Sequence, residues 1–214
     1  MNKDLLATNL IHAGYLDYIA ARFLLNNDFI IQGATLASSA VEKYLKAVLV
    51  LTTGSSKKIH LDRFAELKDA FKDSSHNDLL NHLDDIFLEI LGKIYRFRYY
   101  DNIRKPDSTG FFVNQFLGEL DYTVCAVELL IKNGNGYSTE YSRAAKDREP
   151  NLMENNYRLN NWVKEEFMVR KSQAYAIYVN PNRVGAYVAR LKEQLHVPYL
   201  GKIMTIVIND ANDK

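Results

Sequence analysis

The chain has 214 residues, of which 47% are hydrophobic and 25% charged, and its formal net charge is +1. That length supports one well-filled core, or one domain with a smaller appendage. The near-neutral balance excludes a protein-wide basic field, so any nucleic-acid contact has to come from a local patch. The single cysteine, Cys125, excludes an intrachain disulfide and a multi-cysteine metal site.

Leu6, Leu10, Ala13, Leu16, Ala20 and Leu24 recur at steps of three and four, which predicts an amphipathic helix over residues 5–25. Asn26-Asn27-Asp28 ends it. A second helix is predicted over 30–52, with Ala34, Ala37, Val41, Leu45 and Val48 facing inward, and Gly54 as its C-terminal cap. Gly33, Ala34, Ala37, Ser38 and Ala40 on that helix leave room for a neighbour to approach closely. A third helix is predicted over 61–72 and a fourth over 77–95, the latter from Leu79, Leu83, Ile86, Ile90 and Ile94. The fourth runs into Tyr95-Arg96-Phe97-Arg98-Tyr99-Tyr100-Asp101, and Pro106 forces a break. A fifth helix is expected over 110–133, with Cys125 among its apolar residues as a core thiol.

The character changes after Gly134. Residues 135–170 read as loop plus one helix over 151–168, 173–179 as a strand, 183–195 as a helix and 202–208 as a second strand. Two strands alone are marginal in water, so this tail is expected to dock on the bundle or on a second chain. The fold class is therefore mainly α: an antiparallel bundle of four or five helices over 1–134, with an accessory α+β extension over 135–214. The first residues lack the basic head and unbroken apolar run of a signal peptide. No apolar run approaches the roughly 18 residues of a membrane span. A cytoplasmic protein without membrane contact is the expectation.

Residues 1–134 resemble the HEPN domain family, named for higher-eukaryote and prokaryote nucleotide binding. The features that carry the likeness occur in order: a first helix with spaced alanines and leucines, a short break, and a second helix ending in Ala40-Val41-Glu42-Lys43-Tyr44-Leu45-Lys46-Ala47. A polar loop with Lys57-Lys58 and His60 follows, and a fourth helix ends in Arg98-Tyr99-Tyr100-Asp101. The resemblance implies an antiparallel helical bundle that pairs into a homodimer. It implies a nucleotide, RNA or protein ligand, in some members a nucleotidyltransferase-type protein partner beside a toxin, and in many members metal-free RNA cleavage. The cleavage pattern is an arginine followed, after four to six intervening residues, by a histidine. This chain departs there, for no histidine occurs between His82 and His196. The reading is thus a binding module without ribonuclease activity. The alternatives are a metal-independent, toxin-like endoribonuclease with an altered active site, or a protein-interaction scaffold.

Arg96, Arg98, Tyr99, Asp101 and Arg104 form the candidate ligand-binding set. Arginine forks grip phosphate in a bidentate manner, and tyrosine faces stack on bases. The plainer reading is that Phe97 and some tyrosines complete the core while the arginines pair with Asp101 and Asp107 at the surface. His60, Lys43 and Glu42 are secondary candidates. His60 is a potential proton donor or acceptor, or simply the residue that pins the loop before the third helix. Glu42 and Lys46 stand at i and i+4 in the favourable order, and Lys43 with Lys57-Lys58 would extend a basic rim. No catalytic residue, metal site or cofactor is assigned: His82 and Asp85 alone make a poor metal site, and neither a phosphate-binding glycine loop nor a nucleophile elbow is present.

Overall fold

The computed structural model describes residues 2–54, 60–72, 74–99, 104–135, 138–170, 172–180 and 186–190. The protein is mainly helical, with a small three-stranded antiparallel sheet. Helix α1 (Lys3–Asn26) starts where Asn2 accepts the Asp4 N–H at 2.9 Å. It folds back on α2 (Ile30–Thr53) through Asn27-Asp28-Phe29, where Asp28 takes φ +64°. The two helices approach closely at glycines: a Cβ on Gly33 would stand 2.7 Å from Leu25 Cγ, and one on Gly14 3.2 Å from the Tyr44 ring. Gly54, at φ +68°, closes α2 with its N–H on Val50 O.

A 3-10 turn (Leu61–Arg63) leads into α3 (Phe64–Lys72). The expected fourth helix is broken: a 3-10 turn over Leu79–His82 precedes α4 (Asp85–Phe97), because Asp84 turns its carboxylate onto Phe87 N–H at 2.7 Å and caps a new helix there. The expected fifth helix begins later than its apolar spacing suggested. Asp107–Phe112 is strand β1, and α5 (Val113–Asn135) follows directly. Pairing with a distant strand decides this segment over its local pattern.

Beyond α5 come α6 (Glu140–Asp147), α7 (Pro150–Met153) and α8 (Lys164–Met168) in place of one helix over 151–168. Asn155 and Asn161, at φ +49° and +55°, interrupt the chain between α7 and α8, as asparagine does more readily than other side chains. Strand β2 (Ala174–Val179) agrees with the expected strand, whereas β3 (Ala186–Arg190) lies where a helix was expected. Val184, Val188, Leu191 and Leu195 fit helical spacing, but antiparallel pairing with β2 holds residues 186–190 extended, and Val184, Leu191 and Leu195 lie outside the described residues. The strand expected over 202–208 lies outside the described residues.

The sheet order is β1-β2-β3, with Thr109 opposite Ile177 and Ile177 opposite Val188. One strand comes from the front segment and two from the tail. A single apolar cluster runs from Tyr15 to Val179 and includes Tyr141, Leu152, Tyr157, Phe167 and Ile177, so the tail docks on the helices and shares their core. On α1 the buried face is Tyr15, Tyr18, Ala21, Arg22 and Leu25, one position round from the predicted stripe, which leaves Leu16 52% exposed. Among the described residues no helix is long and apolar enough to cross a membrane, and no group of three or more side chains has metal-ligating geometry.

Candidate functional site

An open cleft of about 580 Å³ lies between the end of α4 and residues 104–107. Arg96 and Tyr99 line it from the helix, Arg104, Lys105 and Asp107 from the following segment, and Asp62 from the 3-10 turn before α3. The C-terminal end of a helix favours positive charge, which suits arginines at this place. Asp107 stands 3.8 Å from Arg96 and 3.9 Å from Lys93. Ion pairs that long between half-exposed groups are weak, so Arg96 remains open to another anion. Among the described residues neither Arg104 nor Lys105 is held in a salt bridge.

Arg98 is set apart from these groups. It caps α4 with its guanidinium over the rings of Tyr95 and Tyr99, 5.1 and 5.8 Å from their centres. It lines a second, mostly apolar groove on the other side of Phe97. The five residues expected at one site are thus divided: Arg96, Tyr99 and Arg104 share the cleft, Arg98 stands at its flank, and Asp101 lies outside the described residues.

A chain of polar contacts reaches the cleft from behind. Lys46 donates to Glu42 at 2.7 Å, and the same carboxylate oxygen lies 3.2 Å from His60 Nδ1. The other oxygen accepts the Leu61 N–H at 3.3 Å, which fixes the start of the 3-10 turn. The Tyr95 hydroxyl is 3.0 Å from His60 Nδ1, and the two rings stack with centres 5.2 Å apart. The carboxylate favours a proton on Nδ1, leaving Nε2 as the basic nitrogen of the neutral ring. Burial, with Glu42 and Tyr99 adding to it, pushes the Tyr95 phenol up to about 12, so at neutral pH it is a hydrogen-bonding group and not an anion. His60 is thus held between Glu42 and Tyr95 immediately before the 3-10 turn. It also stands beside a wall residue of the arginine cleft, which sequence separation had hidden. Lys43 goes elsewhere: it pairs with Asp17 of α1 and donates to Ser39 Oγ at 3.1 Å, clasping the hairpin and not extending the cleft rim. Lys57 and Lys58 lie outside the described residues.

A second polar centre is buried. The Arg22 guanidinium, fully buried, donates to Asp121 and to Glu154 O. Tyr18 OH donates to Asp121 at 2.8 Å and accepts from Asn156 Nδ2 at 3.2 Å. Burial raises the Asp121 pKa and Arg22 opposes it. Burial lowers that of Arg22, and Asp121 with Tyr18 more than reverses this, so the guanidinium stays charged. Nearby, Glu128 accepts from Tyr44 OH at 2.7 Å and from Thr139 Oγ1 at 2.6 Å. Of these residues the sequence pointed only to Tyr44, on the second helix, and not to its polar role. The usable signal was Arg22 at helical spacing with Tyr15, Tyr18 and Leu25, and Glu128 with Val124 and Ile131.

Comparison with known proteins returns no match: no family model fits the chain, and no curated protein or solved structure is significantly similar to it.

Proposed function

We propose that this chain is a HEPN-like binding module that holds a phosphate-bearing ligand, a nucleotide or RNA, in the cleft at the end of α4. The observation that carries the reading is the convergence of Arg96, Arg104 and Lys105 with Tyr99 on one open cleft whose only described acids are Asp62 and Asp107. Guanidinium forks supply bidentate hydrogen bonds to phosphate, and an exposed tyrosine offers a face to a base. The resemblance over residues 1–134 points to the same ligand class and adds a homodimer, which sedimentation velocity tests directly. For the ligand, a fluorescein-labelled single-stranded RNA and ATP are titrated at several salt concentrations. Binding that weakens steeply with salt and is lost in Arg96→Ala/Arg104→Ala supports the reading. Salt-independent binding, or none by either probe, overturns it.

The second reading is a metal-independent ribonuclease with an altered site, and one observation favours it: the Glu42–His60 pair, in contact with Tyr95, puts a proton-exchanging group next to the arginine cleft. RNA cleavage in the presence of a chelator, abolished by His60→Asn while RNA binding persists, would establish it over the binding module.

A further inference from the structure

On the far side of Phe97 from the basic cleft lies a groove of about 430 Å³ between α2, α4 and β2. Helices α2 and α4 are tied together where Ser38 Oγ donates to Leu91 O at 3.0 Å. The groove lies beyond that tie. Ile94, Phe97 and Ile177 form its buried floor, Ile31 and Leu36 its half-buried walls, and Gln32 and Arg98 its exposed rim. Phe29, 54% exposed, stands at i−3 from Gln32 and i−7 from Leu36, so the apolar surface continues along the same face of α2 past the end of the groove.

We propose that this groove docks a short segment of a partner protein that carries apolar anchor residues followed by carboxylates. Its volume falls within the range of about 300–1,000 Å³ typical of ligand sites, but such sites enclose most of a small molecule. This one is open along its rim and continues onto Phe29, which suits a length of chain. The walls are aliphatic, so they give a nucleobase little to stack on, whereas leucine and isoleucine anchors fit them. The sign of the charge follows from Arg98. Among the described residues it is the one charged side chain lining the groove and no acid pairs with it, and the Tyr95 and Tyr99 rings hold its guanidinium in place. Across Phe97, Arg96 and Arg104 extend the positive potential. An acidic flank on the partner is therefore attracted and a basic one repelled. A held guanidinium beside a desolvated apolar floor is the composition of a binding hot spot.

The test uses the full chain and a panel of fluorescein-labelled peptides of about twelve residues, each with two leucines and three glutamates at varied spacing. Matched control panels carry serine for leucine or lysine for glutamate. At least one acidic-apolar peptide is expected to bind, with its two controls about tenfold weaker or worse. Arg98→Glu and Leu36→Ala are each expected to weaken it about tenfold, with far-UV circular dichroism and thermal melting confirming that both variants fold. Arg104→Ala, in the neighbouring cleft, should leave the peptide within about threefold while RNA binding falls. The proposal is overturned if no peptide binds at about 1 mM, if the lysine panel binds equally well, or if Arg98→Glu and Leu36→Ala leave binding unchanged. The phosphate-ligand reading is independent of that result, because RNA binding reports on Arg96 and Arg104 alone.

Discussion

The two charged regions of this protein use the same residue types to opposite ends. At the junction of α1, α5 and the tail, Arg22, Asp121, Tyr18 and Asn156 are buried and bonded mainly to one another. At the end of α4, Arg96, Arg98 and Tyr99 are exposed, their contacts with other residues are long or are ring faces, and a cleft lies open beside them. A guanidinium closed in on its own carboxylate has no capacity for an outside anion, and its removal strands a charge in the core. One left at a helix end in water contributes little to folding and keeps its donors for a ligand. Stability and binding should therefore separate cleanly between the two regions.

The largest effect expected from breaking that contrast is in the core. Arg22→Ala leaves Asp121 buried without its counter-charge and should cost about 3–5 kcal/mol in urea unfolding. Arg22→Met with Asp121→Leu removes both charges and should recover most of that loss. If the single variant unfolds no more easily than the parent, the buried pair is not what joins the tail to the helices. Next comes the cleft. Arg96→Ala and Arg104→Ala should each lose about 1.5–3 kcal/mol of affinity for labelled RNA, the worth of hydrogen bonds to a charged group. Both should unfold within about 0.5 kcal/mol of the parent, as exposed substitutions do. A large stability loss in either would erase the distinction.

A pH experiment sharpens the contrast on its buried side. Burial raises the Glu128 carboxyl above its ordinary 4.5, against the pull of the Thr139 and Tyr44 hydroxyls. The folded state then holds the proton more tightly than the unfolded one. Stability attributable to this group is present below about 4.5 and is lost as pH rises from there through the folded pKa, with a slope of at most about 1.4 kcal/mol per unit. Subtracting the unfolding curve of Glu128→Gln from that of the parent isolates the effect, and a flat difference between pH 4 and 8 would contradict the burial argument.

How much of this was legible in the sequence follows from which forces act locally. The inward face of α2, from Ala34 to Val48, could be read because apolar spacing and burial coincide there. The face of α1 was displaced by one position because its buried side is built from Tyr15, Tyr18 and Arg22, residues that a hydrophobic pattern undercounts. Strand β1 was missed because its partner β2 lies far away in the chain, and such pairing is invisible to a local window; β3 is close to β2 in sequence and was missed because the spacing of its apolar residues also fits a helix. The arginine-tyrosine run was conspicuous as a string, but its division between two sides of Phe97 depends on where α4 ends. The approach of His60 to Tyr95 needed the fold, since 35 positions separate them.

That approach gives the smallest and most discriminating expectation. His60 is one-third exposed and contacts Glu42 and Tyr95 through a single nitrogen, so its contribution to folding is modest. His60→Asn keeps a polar group near Glu42 and should cost less than about 1 kcal/mol in urea unfolding. For a binding module, RNA affinity should stay within about threefold, because the phosphate grip belongs to Arg96 and Arg104 on the other side of the Tyr95 ring. Glu42→Gln should behave in the same way, its main loss being the hydrogen bond to Leu61 N–H and the pair with Lys46. A drop in affinity as large as that of Arg96→Ala would mean that the imidazole itself touches the ligand. The cleft would then extend through Tyr95 to Glu42, and the boundary drawn between its binding wall and its structural backing would be in the wrong place.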